Sequence, residues 1–213
     1  SFPAYTCAVA IEAFVRYYTY SGNAEAVDRA VRFADWVLDQ RTPETAAVSG
    51  LPYSSQAFGV MGEGSPGEGA TIELDKTALF ALGLLQLHDT TQAPRFFEAA
   101  QQMADTLLPL QKADGSWSYR VFPATGEVFQ AYTSDQIPFV RLMDRLFRST
   151  GTAAYREAAE RAWQWLLEHP VQTKYWANFY EDMNDPDSLV NVDALETIRE
   201  LLVRRERSSA YLE

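Results

Sequence analysis

The 213-residue chain has one cysteine, Cys7, and only two histidines. A single cysteine excludes an internal disulfide and any thiolate zinc cluster, and it leaves the compartment open. Basic residues are scarce: 18 Lys and Arg against 29 Asp and Glu give a net charge of −11. Phosphate binding needs a basic surface, so nucleic acid is excluded as a partner. An anionic polymer gains no long-range attraction either, although a local basic pocket can still hold one. No apolar run approaches the roughly 20 residues that cross a bilayer, which predicts a soluble chain with no membrane partner. The opening Ser1-Phe2-Pro3-Ala4-Tyr5 has no initiating Met and no basic region followed by an apolar stretch. The expectation is a processed or truncated protein of unknown localisation.

Several site signatures are also missing. Residues 59–69 hold five glycines in eleven positions, but no Gly-Lys-Ser/Thr follows, so this is no phosphate loop. A surface loop is the simpler reading and a flap over a cleft the functional one. Glu181, Asp182, Asn184, Asp185 and Asp187 lack the ligand spacing and closing Glu of an EF-hand. No metal and no cofactor are expected. His88 and His169 each stand at a helix end, where a cation suits the helix dipole, and both read as structural.

What the chain does contain is a helical hairpin written three times. Ala34-Asp35-Trp36-Val37-Leu38, Ala104-Asp105-Thr106-Leu107-Leu108 and Trp163-Gln164-Trp165-Leu166-Leu167 recur at spacings of 70 and 59 residues. Such a period marks stacked helix pairs. The first helix of each pair, 7–20, 74–87 and 137–147, is apolar nearly all round and so predicted to be buried all round. The second helices, 24–40, 93–111 and 152–168, carry a narrower stripe and should form an outer layer. A fourth inner helix, 193–204, has no outer partner. The prediction is an all-α domain over 1–213 of antiparallel hairpins with about seven main helices. Three and a half hairpins do not close a ring of six or seven. Either a further segment or chain completes the ring, or the array is open.

Each outer helix leads into a long segment, 41–70, 112–134 and 169–190, and loops of that length are uncommon unless they do something. Tyr53 and Gln56 lie in the first, Trp117, Tyr119, Arg120 and Tyr132 in the second, and Trp176, Asn178 and Tyr180 in the third. Gln136 follows the second. Aromatic faces beside amides and charges suit a sugar, whose C–H faces stack while its hydroxyls need polar partners. Asp75, Asp135 and Asp193 recur near the inner-helix starts. Packed helices lie roughly 8–10 Å apart, so two such carboxylates can stand at the ~6.5–9.5 Å that suits a general acid and a general base with water between them. Helix capping is the competing reading. It is preferred for Asp193, where Asp193-Ala194-Leu195-Glu196 forms a capping box. It stands level with catalysis for Asp135. Asp75 is less obviously a cap, because Thr71 can start that helix.

The organisation resembles part of an α/α toroid, the architecture shared by six-hairpin glycosidases, several polysaccharide lyases and terpenoid cyclases. Gln111-Lys112-Ala113-Asp114-Gly115-Ser116-Trp117 resembles a phrase common in carbohydrate-active toroids, and its physical content is a helix end, an Asp-Gly turn and a folded-back aromatic. Asp75 and Asp135 stand at starts similar to those where unsaturated glucuronyl hydrolases place essential aspartates. The resemblance implies a glycoside hydrolase acting on a uronic-acid-containing oligosaccharide, with Asp75 and Asp135 as the acid and base pair. A polysaccharide lyase with Tyr132 as base is the alternative, and a non-catalytic repeat protein binding a glycan or peptide is the reading from another class. Terpene cyclisation is disfavoured, because neither Asp-x-Asp-Asp nor Asp-Asp-x-x-Asp occurs.

Overall fold

A computed structural model describes residues 3–54, 70–133, 135–173 and 192–207. Its helices alternate as the repeat requires. The inner row is α1 (Pro3–Ser21), α3 (Leu74–Thr91), α5 (Ile137–Thr150) and α7 (Val192–Arg207); the outer row is α2 (Ala24–Leu38), α4 (Pro94–Leu107) and α6 (Ala153–Leu166). Each inner helix packs on the next, α1 on α3, α3 on α5 and α5 on α7, while each outer helix lies antiparallel to its partner. All four inner helices therefore begin at the same end of the array. No helix among the described residues is long and apolar enough to cross a membrane.

Local chemistry explains the hairpins. α1 and α5 both end at glycines in the left-handed region, Gly22 (φ 70°) and Gly151 (φ 73°), which turn the chain back at little steric cost. Asn23 caps α2 by accepting the Glu25 N–H at 3.0 Å. The outer helices bury narrow, alanine-rich faces, Ala26, Ala30 and Ala34 on α2 and Ala158, Ala159 and Ala162 on α6, so backbones approach closely. Charged pairs between neighbouring repeats, Arg95 with Asp35 and Arg145 with Asp89, bridge the rows outside the core.

Burial agrees with expectation for α3, which hides Leu74, Ala78, Phe80, Ala81, Leu84, Leu85 and Leu87. It corrects the expectation for α1. Ala4, Cys7, Ala8 and Ile11 are buried, whereas Tyr5, Val9 and Tyr17 are 43%, 48% and 51% exposed. An end helix has an inner neighbour on one side only, which periodicity does not reveal.

The second long segment is not an irregular loop. β2 (Ser118–Val121) and β3 (Val128–Thr133) form an antiparallel hairpin, and β1 (Ile72–Glu73) adds to β2 with Ile72 opposite Val121 and Glu73 opposite Arg120. Thr71 consequently does not start α3. It precedes the strand, and Glu73 takes the position before the first helical residue.

The Gln111–Trp117 phrase is a staple between repeats. Gln111 Nε2 donates to Gly115 O at 2.8 Å and to Ala158 O of α6 at 2.9 Å, and Arg161 donates to its Oε1. Gly115 (φ 93°) lies against α6 so closely that a Cβ would stand 2.6 Å from Arg161 O. One repeat earlier, Gly50 (φ 74°) meets Gln102 of α4, the position 59 residues before Arg161, but only at the end of a flexible side chain 3.0 Å away. Gly115→Ala is expected to cost about 3 kcal/mol or more, combining backbone strain with a clash against backbone. Gly50→Ala should cost about 1 kcal/mol, because Gln102 can move. Urea denaturation of both variants measures the contrast.

Asp114 in the same turn shows how the staple responds to pH. Partial burial by itself would raise its carboxyl, but hydrogen bonds from the Ser116 N–H and hydroxyl at 2.9 and 2.8 Å, together with Lys112, hold it below the usual carboxylate range. A lowered folded value means that the carboxylate stabilises the fold fully above its unfolded value of ~3.9 and loses that contribution as pH falls from there through the folded value. Asp114→Asn should accordingly flatten the fall of stability with acid below about pH 4 relative to the parent chain, read from denaturation midpoints across that range.

Candidate active site at the inner-helix starts

The sheet, the end of the first long segment and the starts of α3 and α5 meet at one end of the inner row. Burial of polar groups concentrates there: Ser54, Thr71, Glu73, Asp75, Ser118, Arg120, Thr133 and Gln136 are all buried. Burying polar groups costs free energy unless they are paired, so such a concentration needs a dense hydrogen-bond network. Ser54 supplies part of it, donating its N–H to Thr71 O at 3.0 Å and accepting the Glu73 N–H on its hydroxyl at 2.7 Å.

The strand register places Arg120 opposite Glu73, and Arg120 Nη2 lies 2.7 Å from Glu73 Oε1, with side chains 1% and 0% exposed. Tyr119 adds its ring, 5.0 Å from the guanidinium carbon, and its hydroxyl at 3.3 Å. This corrects the expectation that Arg120 and Tyr119 face a substrate. Both are enclosed, and the cation is engaged by an acid 47 residues earlier. The alternation of polar Ser118 and Arg120 with apolar Tyr119 and Val121 was the available sign of a strand, but the identity of its partner was not readable.

Trp117 and Gln136 are corrected in the same way. Gln136 Oε1 accepts the Trp117 N–H at 2.9 Å and its Nε2 donates to Trp117 O at 3.2 Å, so both ends of the amide clamp one residue. The indole Nε1 donates to Leu107 O at 2.8 Å, and the ring stacks on Phe139 with centroids 4.4 Å apart and planes 4° apart. A sugar-stacking tryptophan must offer a face, whereas this one is stacked in the core between α4 and α5.

The two aspartates differ from these. Asp75, in the first turn of α3, is 2% exposed; its Oδ1 accepts the Lys76 N–H at 2.8 Å and its Oδ2 lies 2.9 Å from Lys76 Nζ. Lys76, which sequence reasoning overlooked, retains 17% of its side-chain exposure and stands 5.4 Å from the Tyr5 ring of α1. A lysine in a first helical turn opposes the helix dipole, so the Asp75 carboxylate offsets an otherwise unfavourable placement. Asp135, just before α5, is half-buried and accepts the Ile137 N–H on Oδ1 at 3.0 Å. That is a capping bond, and it leaves Oδ2 outside it. α3 and α5 are neighbours, so both carboxylates belong to the same end of the same pair of helices.

Tyr53 is half-buried beside Ser54, with its N–H donated to Gln40 O at 3.2 Å. Gln56, Trp176, Asn178 and Tyr180 lie outside the described residues, as do the side chains of Tyr132 and Asp193. Both histidines are bound to backbone carbonyls, His88 Nδ1 to Ala93 O at 3.1 Å and His169 Nδ1 to Trp165 O at 2.8 Å. Among the described residues no group of three or more His, Cys, Asp or Glu is gathered to hold a metal ion.

No protein-family model and no curated protein sequence matches the chain. Its fold, however, matches solved structures. A GH76 α-mannanase of Bacteroides thetaiotaomicron aligns with a TM-score of 0.65 at 14% identity, covering 82% of this chain and 45% of that one. The cellobiose 2-epimerase of Spirochaeta thermophila aligns at 0.66 and 14%, covering 87% and 48%. The unsaturated glucuronyl hydrolase of Bacillus sp. GL1, responsible for glycosaminoglycan degradation, aligns at 0.53 and 20%, covering 75% and 43%. The chain thus spans less than half the length of each. At these identities the likeness establishes architecture, and the chain has the fold of an arc of an α/α toroid of the six-hairpin type.

Proposed function

We propose that this arc belongs to a carbohydrate-active enzyme, a glycoside hydrolase acting on a uronic-acid-containing oligosaccharide with Asp75 and Asp135 as its acid and base pair. The observation that carries the reading is the enclosed Asp75 carboxylate beside Lys76 at the start of α3, with Asp135 at the start of the neighbouring α5. Two carboxylates on adjacent inner-helix starts suit acid–base cleavage with water between them. The Lys76 ammonium provides a positive group for a uronate carboxylate in an otherwise acidic chain. The structural neighbours support the same class, since their names describe a mannanase, a glucuronyl hydrolase and an epimerase of cellobiose. Tyr53, Gln56, Trp176, Asn178 and Tyr180 complete the proposed sugar surface, whereas Trp117, Tyr119, Arg120 and Gln136 support it from behind.

A panel of glycans, followed for new reducing ends and for absorbance of unsaturated uronates together, tests the reading. Reducing ends without new absorbance support hydrolysis, and loss of pre-existing absorbance identifies an unsaturated uronate substrate. Reducing ends with rising absorbance mean elimination and promote Tyr132 as base. Binding without any product marks a glycan-binding protein.

A further inference from the structure

Of the ten large hydrophobic residues exposed among the described residues, nine lie on the first hairpin or on α7; the tenth is Val128. α3, α4, α5 and α6 expose none of this kind. The nine are not scattered. On α1, Tyr5, Val9, Ala13 and Tyr17 are all exposed at four-residue spacing, which places them on one face of the helix. Phe33 and Trp36 continue that edge on α2, where Phe33 stacks against Phe14 of α1 with centroids 5.9 Å apart. At the other end, Leu195, Ile198 and Leu202 of α7 are 55%, 50% and 57% exposed and share one face by their spacing of three and four.

α7 is oriented against the usual rule. Its contacts with α5 are charged, with Arg141 bonded to Glu196 and Glu200 at 2.6 and 3.0 Å and Arg204 bonded to Asp144 at 2.6 Å. Its apolar stripe points away from the body of the protein. A surface helix normally does the opposite. α1 is equally telling, because its sequence is as apolar all round as that of the buried α3, yet half of its surface is open.

We infer that these two edges are the seams through which the arc joins a complementary arc of helices, closing a six-hairpin ring. Seven of the ring's twelve helices are described here, four inner and three outer. The occupant is therefore a set of two inner and three outer helices, carried on the same polypeptide or on another, with an apolar inner helix laid on each edge. The share of each matched structure that the chain spans, 43% to 48%, leaves room for it. A second copy of this chain does not fit, since it would bring eight inner helices to a ring of six. The inference rests on the architecture alone and is independent of the proposed chemistry.

Placing the photo-crosslinking residue p-benzoylphenylalanine at Val9 or at Leu202, in the protein as its own cells make it, tests the seams. The same residue at the exposed Glu157 of α6 is the control. After illumination, mass spectrometry should find both edge positions, and not the control, joined to helical peptides of apolar periodicity from outside residues 1–213. Cross-links from Val9 to residues 192–207 of a second copy would overturn the inference in favour of a homo-oligomer. Edge positions that cross-link no more than Glu157, or only to a partner without such helices, would overturn it outright.

Discussion

Arg120→Ala is expected to destabilise the protein by about 3–5 kcal/mol, the cost of breaking a buried ion pair by removing one partner. The guanidinium and the Glu73 carboxylate are 1% and 0% exposed, so solvent cannot replace the lost partner without opening the sheet. Glu73→Leu should cost a similar amount by the same argument. Combining Glu73→Leu with Arg120→Met should recover most of the loss, because two charges that no longer need desolvation are replaced by groups that pack. Urea denaturation of the single and double variants completes the cycle. Near-additive losses would mean that the pair is not coupled as its 2.7 Å contact implies. The experiment also bears on the site, since Glu73 lies directly before α3 and so helps to fix where Asp75 begins.

Asp135→Asn is expected to lower activity by about 10²–10⁴-fold, the usual range for removing a general acid or base, at nearly unchanged stability. Asn accepts the Ile137 N–H as well as Asp does, so the capping bond survives while proton transfer is lost. Asp75→Asn should lower activity comparably, but with a measurable loss of stability as well, because its carboxylate also neutralises the enclosed end of Lys76. The two variants thus separate catalytic from structural contributions at one site. Rate constants on the substrate identified by the glycan panel, measured beside denaturation midpoints, give both quantities. Full activity in Asp135→Asn would reduce that residue to a helix cap and sink the carboxylate pair.

Helix positions were legible because their signals are local. Gly22 and Gly151 mark inner-helix ends, Asn23 caps α2, and alanine-rich stripes mark the outer faces, all within a few residues of the structure they specify. The structural reading of the Gln111–Trp117 phrase was legible for the same reason, although its contact with α6 was not. The site was only partly legible. Asp75 and Asp135 were readable as carboxylates on inner-helix starts, but Trp117, Tyr119, Arg120 and Gln136 were assigned to a sugar surface because their side-chain types suit one. Residue type does not say which way a side chain faces. That depends on a strand pairing between segments 47 residues apart and on a clamp between Trp117 and Gln136 19 residues apart.

The sequence by itself determined the repeat, the alternation of inner and outer helices, the scarcity of basic charge and the residue types at each inner-helix start. These follow from periodicity and capping, which act over one or two helical turns. Tertiary structure alone decided that a three-stranded sheet closes one end of the row, that Glu73 neutralises Arg120, and that Trp117 stacks in the core. It also decided that the apolar faces of α1 and α7 remain open. An apolar stripe states only that a helix needs a neighbour; whether one is present depends on how many helices share the ring.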